Sequence, residues 1–192
     1  MLWNYVLAAL IALLVGLSGP LTAAAQGNTA DQMTSEELET LFNKQKTRGL
    51  VLAPTGDPDS DTSEAAAETA AADQTYVELA PEDQVNVQIR FDFDSAALRN
   101  DQKPKLATLC QVMKTADIQL FRIVGHTDAA GSASYNESLS LLRAQEVKRH
   151  LVNECGIAAE RLEAVGVGER FPLDKDDPRN DVNRRVEFQA LS

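Results

Sequence analysis

From Val85 onward the apolar residues switch between two spacings, and this switching limits the available folds more than any other feature of the chain. Val85, Val87, Ile89 and Phe91 alternate with polar neighbours, the period of a strand buried on one face. Pro104 then suits the first turn of a helix, and Leu106, Leu109, Cys110 and Met113 follow at helical spacing. Ile118 to Val124 is dense in β-branched and aromatic residues and reads as a second strand. After the loop Gly125 to Gly131, Ser134-Tyr135-Asn136-Glu137 has the pattern of a capping box. The helix it predicts carries Ser140, Ala144, Val147, Leu151 and Cys155 along one stripe, and Gly156 supplies a stop. Leu162 to Val167 is a third strand, a polar loop runs through Pro172 and Pro178, and Arg185 to Leu191 is a fourth strand. The order β-α-β-α-β-β predicts an α+β domain over residues 85–192. It is a two-layer sandwich with helices packed on one face of a mixed four-stranded sheet.

The residues before this domain have a different character. The first thirty contain no charged side chain; Val6 to Leu17 is an apolar run, and Ala23-Ala24-Ala25 follows it. Residues 1–25 therefore read as a secretory signal peptide, although its amino-terminal region lacks Lys and Arg. The run is short for a membrane span, and no cysteine near the cleavage pattern offers a lipid site. Residues 26–84 are expected to be a largely disordered acidic linker, because Asp57 to Ser63 and the Ala/Glu run from Ala65 cannot bury enough apolar surface to offset ordering. One island stands out near residues 35–46. Thr34-Ser35-Glu36-Glu37 is a capping box, and Leu38, Leu41 and Phe42 share a helical face. This helix would dock on a partner, dock on the domain, or stay marginal within a tether.

The net charge is −11 over 192 residues, which argues against a nucleic-acid partner, whose phosphates need clustered Lys and Arg. The acidity is concentrated between Asp31 and Asp83, where the only bases are Lys44, Lys46 and Arg48. An exported chain meets an oxidising compartment, so the even pair Cys110 and Cys155 is expected to bridge, two buried thiols being the alternative.

The chemistry concentrates in Gly125-His126-Thr127-Asp128 and the helix after it. Asp128 lies on the loop leaving a strand, and Arg143 about two turns into the next helix. Helical side chains lean toward the N-terminus, which aims Arg143 at that loop, with Asn136 on the same face. Two meanings stay open from the residues alone. One is an internal salt bridge closing the loop onto the helix. The other is a two-point clamp for a zwitterion, with Asp128 taking an ammonium and Arg143 a carboxylate in bidentate fashion.

Phe91-Asp92-Phe93-Asp94-Ser95, Gly125-His126-Thr127-Asp128, Tyr135-Asn136, Leu139-Ser140, Arg143-Ala144, Val165-Gly166-Val167-Gly168-Glu169 and Asn183-Arg184-Arg185-Val186-Glu187 occur in this order. Together they resemble the OmpA-like C-terminal domain shared by outer-membrane barrel proteins, Pal-type lipoproteins and MotB-type stators. The resemblance implies a periplasmic, wall-associated and non-enzymatic protein of a Gram-negative envelope, near the outer membrane, that binds peptidoglycan without a cofactor. It also implies that Asp128 and Arg143 hold the amino-acid end of diaminopimelate in the stem peptide. Further family contacts map to Asp94, Thr127, Asn136, Leu139 and Arg185. Some relatives carry Asn where Asp94 stands. Of Arg184 and Arg185, one is expected to face the ligand and the other to tie down the polar loop. The alternative function is a protein-docking module of an envelope complex, with an outer-membrane or periplasmic protein as partner and the helix near residue 35 as its supporting feature.

Two rival chemistries were weighed. His126 two residues before Asp128, with Ser132, Ser134 and Ser138 nearby, has the composition of a hydrolase but no nucleophile-elbow setting. His126-x-Asp128 provides too few ligands for zinc. Asp174, Asp176, Asp177 and Asp181 read more simply as a solvated acidic loop than as a Ca²⁺ site.

Overall fold

The computed structural model describes residues 29–49, 76–92 and 94–191. The signal-peptide reading of residues 1–25 and the acidic stretch at 50–75 lie outside the described residues. The sheet comprises β1 (Val85–Val87), β2 (Phe121–His126), β3 (Leu162–Gly168) and β4 (Val186–Ala190), in the spatial order β1-β4-β2-β3. β4 is antiparallel to both β1 and β2, while β2 and β3 are parallel. Among the described residues, three helices accompany the sheet: α1 (Ser35–Gly49), α2 (Ala107–Thr115) and α3 (Ala133–Asn153). The mixed four-stranded sheet and its helical layer follow the order expected from the sequence.

Strand alternation divides the sheet into two faces. Phe121 and Ile123 on β2 sit opposite Ala190 and Phe188 on β4. All four are buried with Val85, Leu109, Met113, Val147 and Leu151 in the main core under the helices. The other face carries Val124, Val165 and Val167, covered by Tyr76 and Phe171. Cys110 on α2 and Cys155 just beyond α3 form a disulfide with Cα atoms 5.6 Å apart, within the usual range.

β1 ends at Val87 instead of running to Phe91, because β4 begins opposite it at Val186. Beyond that point side chains serve the backbone: Lys105 donates to the Gln88 carbonyl at 2.6 Å, and Arg90 N–H donates to Gln102 Oε1 at 3.1 Å. α3 starts two residues earlier than its apparent capping box. Ser132 is the N-cap, and its hydroxyl accepts from Tyr135 N–H.

The expectation that folding begins at residue 85 is too narrow. α1 starts at the predicted capping box, with Glu37 N–H donating to Thr34 Oγ1 at 3.3 Å and Thr34 N–H to Glu37 Oε2 at 2.8 Å. It then lies on the domain, and Leu38 and Phe42 are completely buried. The Phe42 ring meets Phe121 edge-on at 5.1 Å. Gln45 donates to the Asp83 carbonyl at 2.7 Å and accepts from Ala190 N–H at 2.7 Å, so its side chain joins the end of β4 to the entry of β1. Lys44 pairs with buried Asp83 at 2.5 Å. Residues 29–49 and 76–84 thus belong to the folded unit, because the two apolar positions of a short amphipathic helix find a complementary gap beside Phe121.

Candidate functional site

Close backbone approach brings the site together. A Cβ on Gly125 would overlap the Ser140 carbonyl, and one on Gly166 would overlap the Leu141 backbone. These glycines let α3 press directly on β2 and β3. Ser140, fully buried, donates to the Glu137 carbonyl at 2.7 Å and accepts from Gly168 N–H at 2.9 Å. The loop leaving β2 is therefore held against the first turns of α3.

Asp128 sits on that loop with its side chain 12% exposed. Oδ1 accepts from Ala130 N–H at 2.9 Å, closing a local turn, and Oδ2 meets Arg184 at 2.5 Å. Ala129 N–H also donates to the Pro178 carbonyl at 2.9 Å, so the polar loop before β4 is tied to the same place. Arg184 additionally pairs with Asp181. Burial works against its charge, but the bonds to Asp128 and Asp181 outweigh it and hold the guanidinium above its ordinary value.

Arg143 approaches from α3, half-buried, with its guanidinium 4.7 Å from the centre of the Phe91 ring. Nε donates to the Ser95 carbonyl at 3.3 Å. Burial pushes this guanidinium down from its ordinary value; Tyr135 and Asp128 oppose that, and Arg184 adds to it. It remains a cation in any case. Asp128 and Arg143 thus share a site without pairing to each other, so the loop-closing salt bridge is made by Arg184 and not by Arg143. On the rim, Tyr135 donates to Asp94 Oδ1 at 2.6 Å. Asp94 has φ of +51°, a left-handed conformation that Asp and Asn tolerate better than other side chains.

The other expected residues divide. Thr127 is buried, and its hydroxyl has no hydrogen-bond partner among the described residues. Leu139 is half-buried on α3. Asn136 is buried at the start of α3 and commits its amide inward, to the Asp128 carbonyl at 3.2 Å and to Glu169. It shapes the Asp128 loop. Arg185 does not join the site. It is buried on the far face, donating to Asn86 Oδ1 at 3.0 Å and to the Phe171 carbonyl at 3.3 Å, beside Glu187. Period two explains the correction: Arg185 shares parity with Glu187 and Gln189, whereas Val186 and Phe188 face the helices. That parity was available in the sequence and points to Arg184 as the arginine at the site. Phe91 and Tyr135 are further site members; both stand in the motifs, but nothing local marked their contacts.

His126 is bonded to Glu187 Oε2 at 3.1 Å on the far face, not to Asp128. Burial, seconded by Arg185, pushes its imidazole down to about 4. The ring is therefore neutral at neutral pH and donates Nε2–H to the carboxylate. Tyr76 and Gln189 donate to the same carboxylate, at 3.0 and 2.9 Å. The Ser132 hydroxyl caps α3, and Ser138 donates to the Ser134 carbonyl at 3.0 Å. Asp174 accepts from Asp176 N–H, Asp177 N–H and the Asn180 amide, so this carboxylate organises its own loop.

Comparison with known proteins fits this arrangement. The model of the OmpA family matches residues 90–185. Outer membrane porin F of Pseudomonas aeruginosa is 35% identical over 108 residues, 55% of this chain and 31% of the porin. Peptidoglycan-associated lipoprotein of Legionella pneumophila is 29% identical over 117 residues, 60% of this chain and 64% of the lipoprotein. The crystal structure of the peptidoglycan-associated lipoprotein from Burkholderia pseudomallei aligns over 53% of this chain and 86% of that one, at 31% identity and a TM-score of 0.45. The chain thus spans about a third of the porin and about two thirds of the Legionella lipoprotein. With the motif residues assembled around Asp128 and half of its length matched by the family model, this chain belongs to the OmpA family.

Proposed function

We propose that the domain binds peptidoglycan non-covalently by its stem peptide, and so links the cell envelope to the wall from the periplasmic side. The zwitterionic end of diaminopimelate occupies the space between Asp128 and Arg143. Its ammonium donates to the Asp128 carboxylate, which has lone pairs beyond those used by Ala130 and Arg184. Its carboxylate accepts from Arg143, held over the Phe91 ring, and from Arg184 at the rim. Asn136 and Thr127 keep the Asp128 loop in shape, and Tyr135 and Asp94 border the entrance.

The observation that carries this reading is the placement of two opposite charges, Asp128 buried and Arg143 half-buried, that face one site without pairing to each other. A ligand without a carboxylate leaves the half-buried Arg143 guanidinium with a neutral carbonyl as its acceptor, which is costly away from water. The protein-docking alternative relied on the apolar face of α1, and that face is occupied by the domain itself, since Leu38 and Phe42 are fully buried.

The test is co-sedimentation of the full-length chain with diaminopimelate-type peptidoglycan, with free diaminopimelate as competitor. The parent is expected to pellet and to be released by the competitor. Asp128→Asn and Arg143→Ala, each confirmed folded by circular dichroism, are expected to bind at least about tenfold more weakly, since removing one partner of a desolvated charge pair costs about 2–5 kcal/mol. A parent that stays in the supernatant, or folded variants that pellet like the parent, would refute the proposal.

A further inference from the structure

Next to the Asp128 site lies a cleft of about 350 Å³ whose walls are dominated by cations: Arg90, Arg99, Lys105, Arg143 and Arg184. This is unexpected in a chain of net charge −11. Among the described residues its one acidic wall residue is Asp181, which is already paired with Arg184. Arg99 is also neutralised, by Asp92 and Asp101 at 2.9 Å each. The remaining three are not. Lys105 donates to the Gln88 carbonyl and Arg143 to the Ser95 carbonyl, both uncharged acceptors. Arg90 is exposed, and no carboxylate pairs with it among the described residues. Three uncompensated positive charges therefore face one concave space, and Arg143 is shared between that space and the Asp128 site.

Resting on the reading above, we propose that this cleft is a second anion subsite, formed by Arg90 and Lys105, that takes a free carboxylate of the stem peptide next to the residue held by Asp128 and Arg143. A stem peptide carries two such groups. The γ-linked D-glutamyl residue leaves its α-carboxylate free, and the peptide ends in another carboxylate. Amidation of either converts an anion into a neutral amide, which still accepts a hydrogen bond but no longer neutralises a guanidinium or ammonium. The subsite thus makes the domain sensitive to the amidation state of the wall and not only to the presence of diaminopimelate.

The experiment titrates the full-length chain, at physiological salt, with free diaminopimelate, with the tetrapeptide L-Ala-γ-D-Glu-diaminopimelate-D-Ala, whose terminal carboxylate lies on the residue after diaminopimelate, and with two versions of it. One is amidated at the glutamyl α-carboxylate, the other at the C-terminal carboxylate. The same series is run on the double variant Arg90→Gln/Lys105→Gln, whose side chains are not in the core. The tetrapeptide is expected to bind about tenfold more tightly than one of the two amidated forms, which identifies the carboxylate read. The double variant is expected to remove that difference while changing binding of free diaminopimelate by less than about twofold. Equal binding of all three peptides overturns the inference and leaves the Asp128–Arg143 reading intact. So does a double variant that weakens every ligand alike, since that is general electrostatic attraction. Failure of free diaminopimelate and of every peptide to bind defeats both.

Discussion

Phe42→Ala tests whether α1 is part of the domain. Phe42 is fully buried, and its ring packs edge-on against Phe121 with centroids 5.1 Å apart and planes at 74°. Truncating a fully buried Phe to Ala costs about 3–5 kcal/mol through lost transfer energy and the cavity left behind. The edge-to-face pair places this site in the upper part of that range. In a chain of this length, 1 kcal/mol corresponds to about 2–4 °C in the unfolding midpoint, so a fall of about 8–20 °C is expected. The assay is thermal and urea unfolding followed by far-ultraviolet circular dichroism. Glu39→Ala, at an exposed position on the same helix, is the control and should stay within about 0.5 kcal/mol of the parent. If Phe42→Ala and Glu39→Ala unfold together, α1 does not pack on Phe121 in solution and the enlarged folded unit is wrong. If they separate as expected, wall-binding work must keep residues 29–49. A chain cut at residue 84 would expose Phe121 and strip the Gln45 partner from Ala190 N–H.

Other perturbations probe the remaining supports. The His126 imidazole is pushed from 6.5 to about 4 in the folded state. The unfolded chain therefore binds more protons as pH falls, and stability should drop from about pH 6.5 through about pH 4, by about 3 kcal/mol in all. Glu187, held below its ordinary value by His126 and Arg185 against its own burial, acts with the same sign lower in the range. His150, also lowered by burial, adds to the upper part. His126→Gln should flatten most of the slope between pH 6.5 and 5 in urea titrations, and an unchanged slope would refute the assignment. Gly125→Ala should destabilise by about 1–3 kcal/mol or more, because the added methyl meets the backbone of α3 at Ser140 instead of a flexible side chain; a denaturation midpoint like the parent's would show that α3 can move away. Reducing the Cys110–Cys155 bond, which spans 45 residues, should cost about 4 kcal/mol on a loop-entropy account, measured as unfolding with and without a thiol reductant.

Much of this protein was legible before any coordinates. Alternation at Val85 to Ile89 and helical spacing at Leu109 to Met113 record which side of each element meets the core, so they report element type directly. Thr34 and Glu37 sit close enough in sequence for their reciprocal bonds to be read as a local pattern. The ordered motifs from Phe91 to Glu187 carried the family. Parity at the start of β4 also separates Arg184 from Arg185.

What the sequence by itself determined was therefore local or periodic: the succession of strands and helices, the cap of α1, and the motif residues that converge on one loop. Tertiary structure alone decided the partners. Asp128 meets Arg184 across 56 residues, Tyr76 meets Glu187 across 111, and Gln45 receives Ala190 N–H across 145. Contacts at such separations depend on which strands become neighbours and on how closely Gly125 and Gly166 let α3 approach them. A charge in a sequence shows only that it needs a partner or water; burial and geometry choose which.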